Sequence, residues 1–177
     1  MILSDSNAPM EQQVKDQKLQ YFYEKYKNTP IQSLFNTTRA TQEVLNGECV
    51  IGAIQYCGSH FNNNISKDEI VTYFGDKVQK DSKGNITGIA LNSSDWDDAW
   101  NHWFTAKYPN GQWDLINKVN AGNIACCRLG SSRTHAIVLI GVDENSDAFI
   151  YYDPVLGGEN HKASFTEIYD PRIITEK

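Results

Sequence analysis

Cys49 stands where a polar loop, Asn46-Gly47-Glu48, meets an apolar run, Val50-Ile51-Gly52-Ala53-Ile54. A thiol at the first residue of a helix faces unpaired backbone N–H groups and the positive end of the helix dipole, which favour thiolate and therefore nucleophilic chemistry. Downstream, Thr134-His135-Ala136-Ile137-Val138-Leu139-Ile140-Gly141 and Ala148-Phe149-Ile150-Tyr151-Tyr152-Asp153-Pro154 read as two neighbouring strands, one carrying an imidazole and the other a carboxylate. Cysteine, histidine and an orienting acid are the parts of an activated nucleophile, suited to attack on an acyl carbon.

Those parts must be brought together by the elements that bear them. The loop Asp143-Glu144-Asn145-Ser146-Asp147 reads as a hairpin connection centred on Asn145, which places His135 and Asp153 on one face of the sheet as diagonal neighbours. A slip of one residue would put them on opposite faces. Asp143, at the other end of the same hairpin, is the weaker alternative acid. Cys49 has to arrive on a helix packed across this sheet, and the all-round apolar character from 48 to 57 fits a buried central helix. An oxyanion would need the Cys49 N–H and a side-chain amide, and Gln42 lies a short way upstream.

The remaining elements follow from periodicity and capping signals. Residues 1–10 read as a flexible tail and residues 11–177 as a single domain. An amphipathic helix is predicted from 11 to about 27, stopped by Asn28-Thr29-Pro30. Ser66-Lys67-Asp68-Glu69 has capping-box spacing, so a second helix begins at Lys67. Lys83-Gly84-Asn85 marks a turn before a short strand over 86–91. Ser93-Ser94-Asp95 caps a helix on which Trp96, Trp100 and Trp103 form one stripe, read as a face packed on the core rather than a substrate wall. A short helix over 113–121 ends at Gly122, and from Ile124 the pattern turns to strands: 124–129, 135–142, 148–153 and 162–165. Helices first and strands second is an α+β order.

Composition narrows the partners. The formal charge of −6 gives no general attraction for phosphate backbones, so nucleic acid is excluded as a partner, and no stretch has the length for membrane insertion. The start lacks the basic and apolar regions of a signal peptide, which fits a cytoplasmic protein, export by another route, or a chain shown without its leader. Cys57 and His60 have C-x-x-H spacing but no second pair, so no metal site and no cofactor are expected. His102 and His161 have no clustered partners and read as surface residues. Adjacent Cys126 and Cys127 read as small core residues of a strand.

Taken together, the residues resemble the papain-like cysteine peptidases, and more closely the bacterial branch that includes the bacteriocin-processing peptidases cutting after a double glycine. The likeness rests on Gln42, on Gly47-Glu48-Cys49 opening a helix, on His135 with Gly141 six residues later, and on Asp153-Pro154, in that order, and it spans roughly 38–166. The family's glutamine commonly stands one residue nearer to its cysteine than Gln42 does here. Residues 116–124 are similar to the helix and glycine that feed the strand before the histidine. The resemblance implies a papain-like α+β fold and catalytic Cys49, His135 and Asp153, with Gln42 at the oxyanion. It also implies a peptide or protein substrate and hydrolysis through a thiolate. Acyl transfer, transglutamination or deamidation on the same triad stay open, as do an inactive domain that only binds and a peptidoglycan amidase. Whether the role is that of a processing peptidase, a housekeeping enzyme or an effector or toxin also stays open.

Overall fold

The computed structural model describes residues 10–35 and 42–177. The tail expected over 1–10 therefore lies, except for Met10, outside the described residues. Helix α1 spans Met10–Tyr26, and Phe22 and Tyr26 set their rings edge-on against Phe165, at centroid distances of 5.0 and 5.5 Å. After it come β1 (Glu43–Asn46), α2 (Cys49–His60), α3 (Lys67–Phe74), β2 (Val78–Lys80), β3 (Ile86–Leu91) and α4 (Ser93–Trp103). The second half contains β4 (Phe104–Lys107), α5 (Gln112–Asn120), β5 (Ile124–Leu129), β6 (Ser132–Asp143), β7 (Ala148–Tyr152), β8 (His161–Ser164) and β9 (Ile168–Glu176).

Strands β4-β9-β5-β6-β7-β8 form an antiparallel sheet, and β1-β3-β2 form a smaller one. This is the α+β arrangement expected, with a buried helix on a C-terminal antiparallel sheet. Alternation of side chains sorts the large sheet into two buried faces. Cys126, Ala136 and Val138 join the core with Ile51, Ile54, Trp96 and Trp100, whereas Cys127, Ile137 and Leu139 join Phe22, Leu115, Ile116 and Val119 on the other side. Adjacent Cys126 and Cys127 thus belong to different cores, and all four cysteines are free thiols.

Local signals set the helix starts, with two corrections. Ser66 Oγ accepts from the Glu69 N–H at 3.1 Å, worth roughly 1 kcal/mol. The reciprocal half of that box is not made, because the Glu69 carboxylate accepts from Trp103 Nε1 at 2.7 Å instead. On α4 the cap is Asn92, one residue before the predicted serine, and Asn92 and Asp95 bond each other's backbone N–H in a full capping box. The tryptophan stripe is core: Trp96 and Trp100 are fully buried, and Trp96 Nε1 donates to the Asp170 carbonyl at 3.0 Å.

Four strands, β1, β2, β4 and β9, carry no sustained alternation in the sequence. β1, β2 and β4 are only three or four residues long. β9 is buried over most of its length, and its Asp170-Pro171 pair imitates a loop. Asp170 adopts φ +54 there, beside a register irregularity against β5.

Candidate active site

The site is built where α2 begins against β6. Glu48 occupies the N-cap of α2 but makes no side-chain cap, its carboxylate being paired with Lys67 Nζ at 3.0 Å. The N–H groups of the first turn are therefore left for the sulfur. Cys49 Sγ accepts from the Ala136 N–H at 3.4 Å, and its own proton points at the Thr134 carbonyl at 3.7 Å. The sulfur is thus moored to the backbone on both sides of His135, rather than hydrogen-bonded to the ring.

His135 reaches Asp153 through the ring's far nitrogen, with Nε2 and Oδ2 3.1 Å apart. The register beside the site is the one expected, but it is reached by a different route. Near the turn Asp143 opposes Ala148 and Gly141 opposes Ile150, so the connection is centred after Asn145 rather than on it. That half-residue offset alone would send His135 and Asp153 to opposite faces. A bulge at Ile140 takes up one residue of β6, after which Leu139 opposes Tyr151 and Val138 opposes Tyr152. Two departures cancel, and the imidazole and carboxylate share a face.

Asp153 has two tasks. Its Oδ1 accepts the N–H groups of Val155 and Leu156, at 2.8 and 2.9 Å, while Oδ2 holds His135. Burial pushes its carboxyl up, but the two loop N–H groups and His135 outweigh that and leave it below the ordinary carboxylate value. An ionised carboxylate only accepts hydrogen bonds, so Nε2–H is the donor in this contact. The loop behind it is fixed by Gly157 and Gly158, both at positive φ, which return the chain so that the Gly157 N–H meets the Asp153 carbonyl at 2.8 Å.

Asp143, the alternative acid, sits at the opposite end of the hairpin. Lys162 Nζ at 2.6 Å, then Ser146 and Asn145, hold its carboxyl down at about 2.

Burial works against the expected ionisation of the sulfur. Cys49 is fully buried, and burial raises its pKa above the ordinary value. The N–H groups of Ala136, Val50 and Cys49 itself pull it down, and the charge of Asp153 adds to the rise. The helix terminus acts as expected; desolvation is larger.

The sequence matches the Peptidase_C39-like family over residues 26–172, which is more than half of the chain. The chain belongs to the Peptidase_C39-like family. No curated protein matches it. Membership in this papain-like cysteine peptidase family supports a peptidase role in general, and the matched span contains Gln42, Cys49, His135 and Asp153.

Within this family member, Gln42 is exposed at the entry to β1 and makes no hydrogen bond among the described residues. Two cavities flank the Asp153-Pro154 turn, and Gln42 lines neither. One, of about 280 Å³, is bounded by Asn46, Ser132, His135, Asp153, Val155 and Leu156. The other, of about 340 Å³, lies against Glu48, Gly52, Tyr56, Tyr152 and Pro154, where the two tyrosine rings stack 4.2 Å apart. Gly52 lets α2 approach the turn, since a Cβ there would lie 2.9 Å from Pro154 Cβ.

Arg128 went unnoticed in the sequence. It is fully buried on β5, its guanidinium bonds the Arg133 carbonyl two residues before His135, and it pairs with Glu43 at 3.3 Å and Asp170 at 3.8 Å. The signal was available: an arginine inside an apolar strand demands buried acids. Among the described residues no cluster of three or more His, Cys, Asp or Glu could hold a metal ion, and no helix is long and apolar enough to cross a membrane.

Proposed function

We propose that the chain is a cysteine peptidase, hydrolysing peptide bonds through Cys49, His135 and Asp153. The observation that carries this reading is the pair of contacts around His135: sulfur moored to the backbone on either side, carboxylate on Nε2. With Nε2 committed to Asp153, Nδ1 is the base left for the Cys49 proton. Proton transfer gives a thiolate and an imidazolium, whose opposite charges offset the desolvation that holds the resting thiol neutral.

The thiolate then attacks the carbonyl carbon, a C–S bond forms, and the π electrons pass to oxygen. Collapse expels the amine, which takes the proton from His135, and leaves a thioester. Water, deprotonated by His135, attacks the thioester and releases the acid and the thiol. The residue order from Gln42 to Asp153-Pro154 resembles that of the double-glycine-cleaving branch, and that likeness supports a peptide as the substrate class.

A second reading, a domain that binds without turnover, is favoured by the complete burial of Cys49 and its raised thiol. Mass mapping of iodoacetamide on the native protein separates the two. The peptidase reading expects Cys49 to be labelled ahead of Cys57, Cys126 and Cys127 at neutral pH. Labelling no faster than at those three buried thiols would favour the binding domain.

A further inference from the structure

We propose that the side-chain amide of Asn46, rather than that of Gln42, donates the second hydrogen bond to the oxyanion formed at Cys49. This rests on the peptidase reading and adds a residue to it. The thiolate attack described above puts a full negative charge on the carbonyl oxygen, and one N–H, that of Cys49, is available from the backbone at the start of α2. A second donor must project into the space that His135 also faces.

Asn46 meets that requirement on three counts. It lines the cavity that His135 and Asp153 line, whereas Gln42 does not. Its side chain is exposed, as that of Gln42 is, and its amide has no hydrogen-bond partner among the described residues, so two N–H groups can turn to a ligand. Its backbone is fixed: Asn46 pairs with Gly88 in the small sheet, and the next residue, Gly47, turns at φ +56 with its N–H on the Thr87 carbonyl at 2.8 Å. The strand end thus fixes where the Asn46 backbone stands, three residues before the nucleophile. Gln42 sits a further four residues back along the same strand edge.

The step balances without any added reagent. As the C–S bond forms, the oxygen gains the π pair and accepts from Asn46 Nδ2 and the Cys49 N–H. As the carbonyl re-forms, the leaving group departs with the C–N or C–O bonding pair.

Two small electrophiles isolate the effect without knowledge of the natural substrate. Acylation by p-nitrophenyl acetate passes through a tetrahedral oxyanion; alkylation by iodoacetamide is a displacement at saturated carbon and does not. Asn46→Ala should lower Cys49 acylation on the order of 100-fold while leaving Cys49 alkylation within about twofold. Asn46→Asp, which keeps the shape but loses the donor, should lose at least as much acylation. Equal loss of both reactions in the two variants would make Asn46 a structural residue and overturn the proposal. So would acylation that falls in Gln42→Ala but not in Asn46→Ala. Failure of wild-type Cys49 to react selectively with iodoacetamide would instead strike the peptidase reading itself.

Discussion

The β6–β7 hairpin ends in an aspartate at each extremity, and the two are put to different use. At the turn, Asp143 is a partly buried carboxylate paired with the exposed Lys162 and held at about 2. At the far end, Asp153 is almost wholly shielded from solvent, folds the Val155–Leu156 loop with one oxygen and holds His135 with the other. Both carboxyls are depressed, so the depression alone does not mark a functional acid. What separates them is the partner: an exposed ammonium in one case, a ring nitrogen beside a buried thiol in the other. Between the two ends lies the Ile140 bulge, which changes the register by one residue and so decides which face each acid serves.

That contrast can be broken most severely at Asp153. Asp153→Asn should keep the loop acceptor but lose the charge that fixes Nε2–H, and Cys49 acylation should fall by about 10² to 10⁴. Stopped-flow release of p-nitrophenol reads this; a loss under threefold would mean that the acid does not orient the ring. The same carboxyl has a pH signature. Its folded value is depressed, so its contribution to stability is present above the ordinary value of about 3.9 and is lost as pH falls through the lower folded value. Urea unfolding followed by tryptophan fluorescence should therefore show stability falling more steeply with decreasing pH in the wild type than in the Asn variant, which has no such proton to take up, with the two converging in acid.

Gly52→Ala tests the approach of α2 to the Asp153-Pro154 turn. A methyl 2.9 Å from Pro154 Cβ forces the helix and turn apart, and displacement by several tenths of an ångström should cost acylation roughly 10- to 100-fold. Stability should change less, since an overpacking cost of about 1–3 kcal/mol is offset by about 1 kcal/mol of helix propensity. Thermal melts and acylation rates measured together check this; a variant with unaltered acylation would show that the contact does not set the site. Least affected should be Asp143→Asn, with acylation within twofold and a small stability loss, because a pair whose ammonium stays in solvent contributes little. An acylation defect there like that of Asp153→Asn would erase the distinction between the two ends.

Much of this site could be read from residue order, for reasons that differ by element. α2 was legible because an apolar run behind a polar loop has one reading. The hairpin is legible because two apolar runs rich in β-branched and aromatic residues flank a short polar loop. The His135–Asp153 pairing was reached through an assumed turn that the molecule does not have, and the bulge at Ile140, which no single-residue signal announces, supplied the compensation. The burial of the thiol is not legible, because a sequence shows which helix a sulfur opens but not how much solvent it loses. Arg128 and β9 were passed over since each breaks an apolar pattern locally, the one with a guanidinium, the other with Asp170-Pro171. Gln42 drew attention by its residue type and order, whereas Asn46 became visible only with the cavity it lines.

The central claim is that the buried Cys49 proton passes to His135. Its most direct test is the pH profile of Cys49 alkylation by iodoacetamide, read by mass mapping in the wild type and in His135→Ala. The account predicts appreciable, His135-dependent labelling at neutral pH, and in His135→Ala a midpoint above the ordinary thiol range, because burial then acts on the sulfur without an imidazolium to offset it. Superimposable profiles for the two proteins would contradict it.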